Sequence, residues 1–295
     1  IISGLYIDGS VKEYGNWEFD NSNSFIRSNS GTVKNLIVEG KIVINDTHPG
    51  SASGIVAINE GLIVDCTSAV DMDVTLNNSN MAYSYAGISH SLYSGSIVKG
   101  CVNKGYIMLR GDNNGADVNG IANANYSDSD FWYSNAIIEN CTNYGDLTVS
   151  ITNGNSRERV AGIGMAPTIS NCVNYGKISS TYDAGGIALG LNCSYAVVNG
   201  CKNYGEIKGG VGLTNVSLQI YTGGIASSCF SGTLINCINE GNVSGEDILT
   251  GGIVGYLSNQ IKEYSNNTNR GSVNGQSGTE NNAIGFDGRN FLNEN

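Results

Sequence analysis

The chain has 295 residues, of which 41 are Gly and 2 are Pro, 14% are charged, and the net charge is -11 at pH 7. With no basic stripe to neutralise phosphates, it is not expected to bind nucleic acid, and the same acidity disfavours an anionic membrane surface. No run of 18 apolar residues is present, so we expect no membrane insertion. The chain begins with Ile1 rather than Met, which favours a processed piece of a larger precursor.

Residues 1–31 lack the repeated phrases found further along the chain. They include Trp17 and Phe19, two large rings that are suited to covering the open end of a stack of repeats. A bare terminal coil of a repeat protein exposes both its core and its strand edges, so a cover is needed. We therefore assign residues 1–31 to an N-terminal cap.

Two short phrases alternate over residues 32–285. In the first, Gly-Ile-Ala or a close variant, the Ile stands at positions 55, 88, 121, 163, 187, 225, 253 and 284. In the second, Asn-Cys-x-Asn-Tyr-Gly-x-Ile and its variants, the Cys stands at positions 66, 101, 141, 172, 201 and 237. A phrase that recurs every few tens of residues indicates one structural unit stacked many times.

Each unit holds three short apolar stretches separated by Gly or Asn. One centres on Gly-Ile, one holds the residue three before Cys, and one holds the residue six after it. These stretches predict an all-β fold, a three-sided parallel β-solenoid (β-helix) of about eight irregular coils with terminal caps. An α-solenoid is disfavoured, because no unit holds a run with helical period and Gly is frequent.

Within the second phrase each recurring letter has a predicted role. The Cys residues would form a buried column of reduced thiols, since neighbouring parallel side chains rarely meet disulfide torsions. The Asn two residues after Cys would form a ladder of stacked amides, and the Gly four after Cys would take a positive φ at a corner. Cys193 and Cys229 each lie eight residues before a motif Cys. We expect them at the same place on adjacent coils, where they are the best candidates for a bridge.

Two groups of aromatic residues are the predicted ligand-binding residues. Tyr144, Tyr175 and Tyr204 each follow a motif Cys by three residues, in consecutive units. If they point outward, the file suits sugar binding through its rings and hydroxyl groups, and the alternative is a ladder that only stabilises the sheet. The longest connector, 123–135, carries the second group, and projecting loops of solenoids commonly bind partners. Its aromatic residues are Tyr126, Phe131, Trp132 and Tyr133.

Catalytic and metal-binding patterns are absent or incomplete in the sequence. Two pairs of aspartates are spaced two residues apart, Asp71/Asp73 and Asp128/Asp130. Such spacing lets both carboxylates point the same way on a strand, but neither pair recurs in a neighbouring unit. His48 and His90 lie in different units without a metal-ligand partner, and no Gly-x-Ser-x-Gly signature occurs. We expect no catalytic residue, no metal and no cofactor.

The segment 110–117 contains two further motifs. Arg110-Gly111-Asp112 spells the integrin-recognition tripeptide, and we expect it in a loop, although three-letter matches also arise by chance. The Asp and Asn residues from Asp112 to Asp117 offer oxygen ligands for Ca²⁺ but lack the alternating spacing of an EF-hand loop, which favours a simple turn.

Residues 286–295 follow the last repeat and are assigned to a C-terminal cap or tail. Phe286 and Phe291 are the rings suited to closing this end of the stack.

The repeats resemble a known family. Residues 251–256, Gly-Gly-Ile-Val-Gly-Tyr, and residues 266–275, Asn-Asn-Thr-Asn-Arg-Gly-Ser-Val-Asn-Gly, resemble the GLUG-type repeat of large bacterial surface proteins, adhesins and non-catalytic regions of surface peptidases. The resemblance covers about residues 31–285. It implies a β-helical extracellular module concerned with attachment and carries over no catalytic residue. The chain departs from the family in its Asn-Tyr-Gly after Cys and in its long connectors.

These features predict an extracellular, cell-surface module that serves as a stalk and as a binding surface. The expected partner is a glycan, followed by a host or cell-surface protein. Two alternatives stay open: self-association into a structural fibre or surface layer, and a polysaccharide-degrading β-helix enzyme.

Overall fold

The repeats wind into a parallel β-solenoid, which confirms the predicted fold class. The structure, a computed structural model, describes residues 1–8, 22–46, 50–79, 83–113, 115–124, 135–152, 158–212, 219–245 and 249–289. The stack makes about 7 turns, slightly fewer than the eight coils predicted. The described residues contain no α-helix, and Glu280–Asn282 forms a 3-10 turn.

Successive parts of each coil belong to four sheets. We number the sheets in the order in which a coil passes through them, starting from the strand before the Gly-Ile phrase. Sheet 1 precedes the Gly-Ile phrase and contains Ser22–Asn23, Ser51–Ser53, Tyr83–Ala86, Ala116–Asn119, Arg159–Ala161, Asp183–Gly185, Thr222–Gly223 and Thr250–Gly251. Sheet 2 follows that phrase and contains Ile26–Asn29, Val56–Asn59, Ser89–Leu92, Ala122–Ala124, Gly164–Met165, Ala188–Leu191, Ala226–Cys229, Val254–Leu257 and Ile284–Asp287.

The other two sheets lie on either side of the Cys position. Sheet 3 contains Thr32–Lys34, Leu62–Val64, Ile97–Lys99, Ile137–Glu139, Thr168–Ser170, Val197–Asn199, Thr233–Ile235 and Glu263–Ser265. Sheet 4 begins with three long strands, Ile2–Asp8, Ile37–Asp46 and Thr67–Ser79. Later coils add shorter strands to it: Val102–Asn103, Ile107–Asn113, Thr142–Asn143, Leu147–Ile151, Val173–Asn174, Ile178–Ser180, Lys202–Asn203, Ile207–Lys208, Ile238–Asn239, Val243–Ser244 and Thr268–Asn269.

The prediction of three sides is wrong, because the apolar stretch around Gly-Ile forms two strands instead of one. The chain bends at the phrase itself, as between Ser51–Ser53 and Val56–Asn59. The Ile at the bend is fully buried, for example Ile55 and Ile88. In the last copy the phrase is displaced by one residue, since Ile284 pairs with Val254. The bend lets a single phrase turn a corner while its Ile fills the core.

The core consists of the apolar positions that the repeat predicts on both sides of Cys. The residues three before Cys are buried: Ile63, Val98, Ile138, Ile169, Val198 and Leu234. So are the residues six after Cys, Ile107, Leu147, Ile178, Ile207 and Val243, and the equivalent Val273 of the last copy, where Asn267 stands in the Cys place. Stacking these positions coil on coil makes one continuous apolar column on each side of the interior.

The column of reduced cysteines is confirmed. The six motif thiols are buried and free: Cys66, Cys101, Cys141, Cys172, Cys201 and Cys237. Each lies near a backbone carbonyl of the coil before, as where the Cys141 Sγ donates to the Val98 oxygen at 3.6 Å. Burial disfavours the thiolate and raises the pKa of Cys141 well above its ordinary value. Because all six thiols are buried and free, they act as small core side chains.

Cys193 and Cys229 do not occupy the same place on adjacent coils, and that prediction is wrong. Cys229 pairs with Leu191, and Thr233 pairs with Val197. Six positions separate Leu191 from Val197 but only four separate Cys229 from Thr233, so the connector is two residues longer in the earlier coil. Both thiols are free, and burial raises the pKa of Cys229 to about 12.

The asparagine ladder is confirmed and runs through the interior. Each Nδ2 donates to the Oδ1 of the next member at 2.8–2.9 Å, in the order Asn103, Asn143, Asn174, Asn203, Asn239 and Asn269. Each Nδ2 also donates to the carbonyl oxygen of the Gly two residues further on. Asn269 donates onward to Asn282 at 3.1 Å, which ends the ladder. Beyond the Asn103 Oδ1, which has no hydrogen-bond partner among the described residues, the amides of the ladder satisfy one another.

The Gly four residues after Cys does not adopt a positive φ, which corrects the prediction. The left-handed residue is the one just before Cys, with φ of 55° at Asn140, 53° at Asn171 and 66° at Gly200. Asn and Gly are the residues that tolerate this conformation. The Gly four residues after Cys is required instead because the neighbouring coil leaves no room for a side chain. A Cβ at Gly176 would overlap the carbonyl oxygen of Gly145 on the coil before.

The Gly of the Gly-Ile phrase faces the same ladder from the opposite wall. A Cβ at Gly120 would lie 2.5 Å from the Asn143 Cγ, and one at Gly186 would lie 2.6 Å from the Asn203 Cγ. The bend between sheets 1 and 2 therefore lies directly across the interior from the ladder. The outer surface at the bend and the outer surface at the ladder therefore face opposite directions.

Strand pairing extends into both segments assigned to caps. Ile2–Asp8 pairs with Ile37–Asp46 in sheet 4, and Ile26–Asn29 pairs with Val56–Asn59 in sheet 2. At the other end, Phe286 stacks on Tyr256 with ring centroids 5.4 Å apart. Trp17, Phe19 and Phe291 lie outside the described residues.

Candidate functional site

Tyr144, Tyr175 and Tyr204 form a continuous stack on the outer surface of sheet 4. Adjacent ring centroids are 5.0 Å apart in both pairs, with interplanar angles of 4° and 7°. The residues are 53%, 46% and 43% exposed. The Asn before each Tyr points inward to the ladder, so the Tyr itself points outward. The ring spacing is that of the coils, because the backbone is paired from coil to coil at these residues.

The stack exposes ring edges and hydroxyl groups more than ring faces. To hold a sugar ring between them, two tyrosine rings would have to be about 7 Å apart, which is twice the contact distance of roughly 3.5 Å. Adjacent rings of the stack are closer than that. The neighbouring positions in the same column are Lys104 on the coil before and Glu240 on the coil after. Glu240 is held by Arg270 at 2.7 Å. The arrangement is a row of three phenol hydroxyls between charged residues.

Several residues singled out in the sequence lie outside the described residues. They are Tyr126, Phe131, Trp132 and Tyr133 of the long connector, with Asp128, Asp130 and His48.

The described carboxylate pair, Asp71 and Asp73, is engaged by neighbouring coils. Asp73 forms ion pairs with Arg110 at 2.7 Å and with Lys41 at 3.6 Å. The Asp71 Oδ1 accepts the Tyr106 N–H at 3.2 Å. His90 is buried, and burial lowers its pKa to about 4. No group of three or more His, Cys, Asp or Glu in the described part of the chain is arranged to hold a metal ion.

Arg110-Gly111-Asp112 does not lie in a loop, and that prediction is wrong. It belongs to the strand Ile107–Asn113. Arg110 pairs with Thr75 on the coil before and with Ser150 on the coil after. Its guanidinium binds Asp73, and Asp112 accepts a hydrogen bond from the Thr152 hydroxyl. Both charged side chains are thus held within the sheet.

Glu158 is a buried acid that the sequence did not single out. It is 0% exposed, and its pKa is raised from 4.5 to about 7, because burial disfavours the charged form and the Asp117 carboxylate adds to this. The unfolded chain therefore releases the carboxyl proton of Glu158 more readily than the folded chain does.

We predict that Glu158 makes the protein less stable as pH rises from about 4.5 to about 7. A folded pKa above the unfolded value favours folding at low pH, and the loss is up to about 3 kcal/mol. Glu158→Gln should remove this part of the pH dependence, so the variant gains stability relative to the parent at high pH. Urea unfolding of both proteins at about pH 5 and about pH 8 measures it. Parallel pH profiles would contradict the prediction.

A second aromatic group, missed in the sequence, lies near the C-terminal end. Tyr221, Phe230 and Tyr256 have ring centroids 5.1–6.0 Å apart, and Phe286 extends the group. Tyr221, Phe230 and Tyr256 come from different places in the repeat, so no recurring phrase marks them. From the sequence, only the alignment of Tyr256 with Phe286 on adjacent coils could have been found. Finding it requires moving the last copy of the Gly-Ile phrase by one residue.

Comparison with known proteins assigns no family to this architecture. No protein-family model, no curated protein and no solved structure matches the chain. Along the described ranges, no helix is long and apolar enough to cross a membrane. The resemblance to the GLUG-type repeat stays a prediction from the sequence.

Proposed function

We propose that this chain is an extracellular attachment module of a cell-surface protein, with the solenoid as a stalk and the tyrosine stack as a glycan-contacting surface. The observation that supports this is the stack itself, three half-exposed parallel rings on consecutive coils. Tyrosine is suited to such a surface, because it combines a rigid ring with a hydroxyl that both donates and accepts.

The spacing of the hydroxyls favours a linear ligand that lies along the solenoid axis. Successive rings are 5.0 Å apart, so a chain of sugar residues would meet one phenol hydroxyl after another. The rings are ordered by mutual stacking before any ligand arrives, which reduces the entropy lost on binding. A neutral glycan is favoured over an acidic one, because the net charge of -11 repels anions.

The two alternatives find less support. Growth of a fibre from the C-terminal end is opposed by Asn282, which receives the last bond of the ladder. An enzyme that uses Asp71 and Asp73 is opposed by the ion pairs that hold Asp73. An attachment module needs neither an open end nor a pair of free acids.

Replacing Tyr144, Tyr175 and Tyr204 together by Phe should weaken glycan binding at least about tenfold. The stack would persist while three hydroxyls are lost, each worth about 0.5–1.5 kcal/mol in hydrogen bonding. An array of neutral glycans, followed by titration of the best binder, measures the effect. The control is Tyr6→Phe, at a tyrosine that is 64% exposed and outside the stack. Equal binding by the triple variant and the parent would contradict the proposal.

A further inference from the structure

A pocket lies on the face of the solenoid opposite the tyrosine stack, where the outer surfaces of sheets 1 and 2 meet. Its volume is about 280 Å³. The residues that matter for its chemistry are Arg159, Asp183, Gly190, Asn192, Tyr221 and Phe230. The two sites are separate, because the bend between sheets 1 and 2 lies across the interior from the ladder that precedes the tyrosines.

The pocket exists because small residues stand where the following coils carry rings. One outward column of sheet 2 reads Gly190, Ser228, Tyr256 and Phe286 on successive coils. The absent side chain at Gly190 leaves a recess in that surface. A Cβ there would lie 3.0 Å from the Ser228 Oγ and 3.1 Å from the Asn192 Oδ1, so both polar atoms border the recess.

The aromatic side of the pocket is formed by Tyr221 and Phe230. Their rings meet edge to face, with centroids 6.0 Å apart and an interplanar angle of 81°. Tyr221 is buried, whereas Phe230 is 37% exposed. Phe230 therefore offers apolar ring surface to whatever occupies the recess.

The polar side is built from charged residues paired across coils. Arg159 stands in register with Asp117 on the coil before and with Asp183 on the coil after. Its guanidinium donates two hydrogen bonds to Asp117, at 2.9 and 2.8 Å. Asp183 is 4% exposed and accepts the Tyr221 N–H at 2.8 Å. These groups are held in place before binding, and because Arg159 also pairs with Asp117, this column holds two carboxylates for one guanidinium.

Asn192 points to a ligand that donates hydrogen bonds. Its Oδ1 is buried and has no hydrogen-bond partner among the residues that the structure describes. A buried acceptor left unpaired costs about 1–3 kcal/mol, and a hydroxyl donor in the recess would remove this cost.

We propose that this pocket binds a single neutral sugar residue. The apolar face of the sugar packs on Phe230, and its hydroxyls donate to the Asn192 Oδ1 and to Asp183 and accept from Arg159. The volume lies near the lower end of the roughly 300–1,000 Å³ range of ligand pockets, which suits one ring. The excess of carboxylates in this column disfavours an acidic sugar. The proposal does not depend on the tyrosine stack.

Ligand-observed NMR with methyl glycosides of neutral hexoses and pentoses, followed by titration, tests the proposal. We expect saturable binding by the parent and an affinity at least tenfold lower for Asn192→Ala and for Phe230→Ala. Asn192→Ala removes an unpaired amide oxygen, so it should stay folded with an unfolding midpoint no lower than that of the parent. Asn77→Ala, at an exposed Asn, serves as the matched control and should bind like the parent.

Three results with the parent and the two single variants would overturn the proposal. They are no saturable binding of any neutral glycoside by the parent, equal binding by folded Asn192→Ala and Phe230→Ala, and binding of charged sugars only. The triple Tyr→Phe variant separates the two sites. It should retain the binding of these glycosides, and its loss there would move the sugar to the stack and overturn the assignment to the pocket.

Discussion

Asn174→Ala should lower the free energy of unfolding by about 3–5 kcal/mol, since buried polar groups left without partners cost about 1–3 kcal/mol each. Asn174 stands in the middle of the ladder. It accepts the Asn143 Nδ2 at 2.8 Å and donates to the Asn203 Oδ1 at 2.8 Å and to the Gly176 oxygen at 2.9 Å. Alanine removes all three bonds in a region of low dielectric, where their loss is most costly.

The matched control is Asn77→Ala. Asn77 makes the same kind of amide bond to the neighbouring coil, with its Nδ2 2.8 Å from the Asn45 Oδ1, but it is exposed. Water replaces the lost bond there, so the change should stay within about 0.5 kcal/mol. Urea unfolding followed by far-UV circular dichroism compares the two variants. If both variants lost the same stability, burial of the ladder would not be the source of its contribution.

Gly176→Ala should destabilise the protein by at least about 3 kcal/mol, at the upper end of overpacking effects, because the new methyl group meets backbone. It would overlap the Gly145 carbonyl oxygen, lie 2.7 Å from the Gly145 carbonyl carbon and lie 2.8 Å from the Asn143 Nδ2. The first two atoms are backbone, and the Asn143 Nδ2 is held by its hydrogen bonds to Gly145 and Asn174. The coils would have to separate locally, which weakens the strand pairing and the amide bonds together.

Gly31→Ala is the control for this substitution. A Cβ at Gly31 would meet nothing within 4 Å, and the residue is exposed. We expect a change within about 0.5 kcal/mol in either direction, since such surface substitutions are close to neutral. The same unfolding measurement applies. A Gly176→Ala protein as stable as Gly31→Ala would show that the coils are not in close contact at the column of glycines.

The ladder and the glycines also bear on the proposed function. They hold consecutive coils at the spacing of parallel strands, and the tyrosine rings one residue beyond the ladder inherit that spacing. A substitution that separates coils should therefore disturb the row of hydroxyls even though it is buried. This would couple the stability of the solenoid to the proposed binding surface.

The sequence by itself determined the parallel stacking, the core positions, the thiol column and the asparagine ladder. The reason is that units wrapped around one axis place identical letters above one another, so Asn143 must meet Asn174 and Cys141 must meet Cys172. The outward direction of Tyr175 follows from the inward direction of Asn174, because neighbouring residues of a strand alternate.

Only the tertiary structure decided the features that depend on connector length and on backbone geometry. The bend that splits the Gly-Ile stretch, the left-handed residue before Cys and the mismatch of Cys193 with Cys229 are of this kind. The pocket is another, because Arg159 and Asp183 on the sheet 1 side meet Gly190 and Phe230 on the sheet 2 side only where the outward columns of the two sheets converge. Periodicity specifies which residues stack within a column, whereas the contacts between columns depend on how each coil turns its corners.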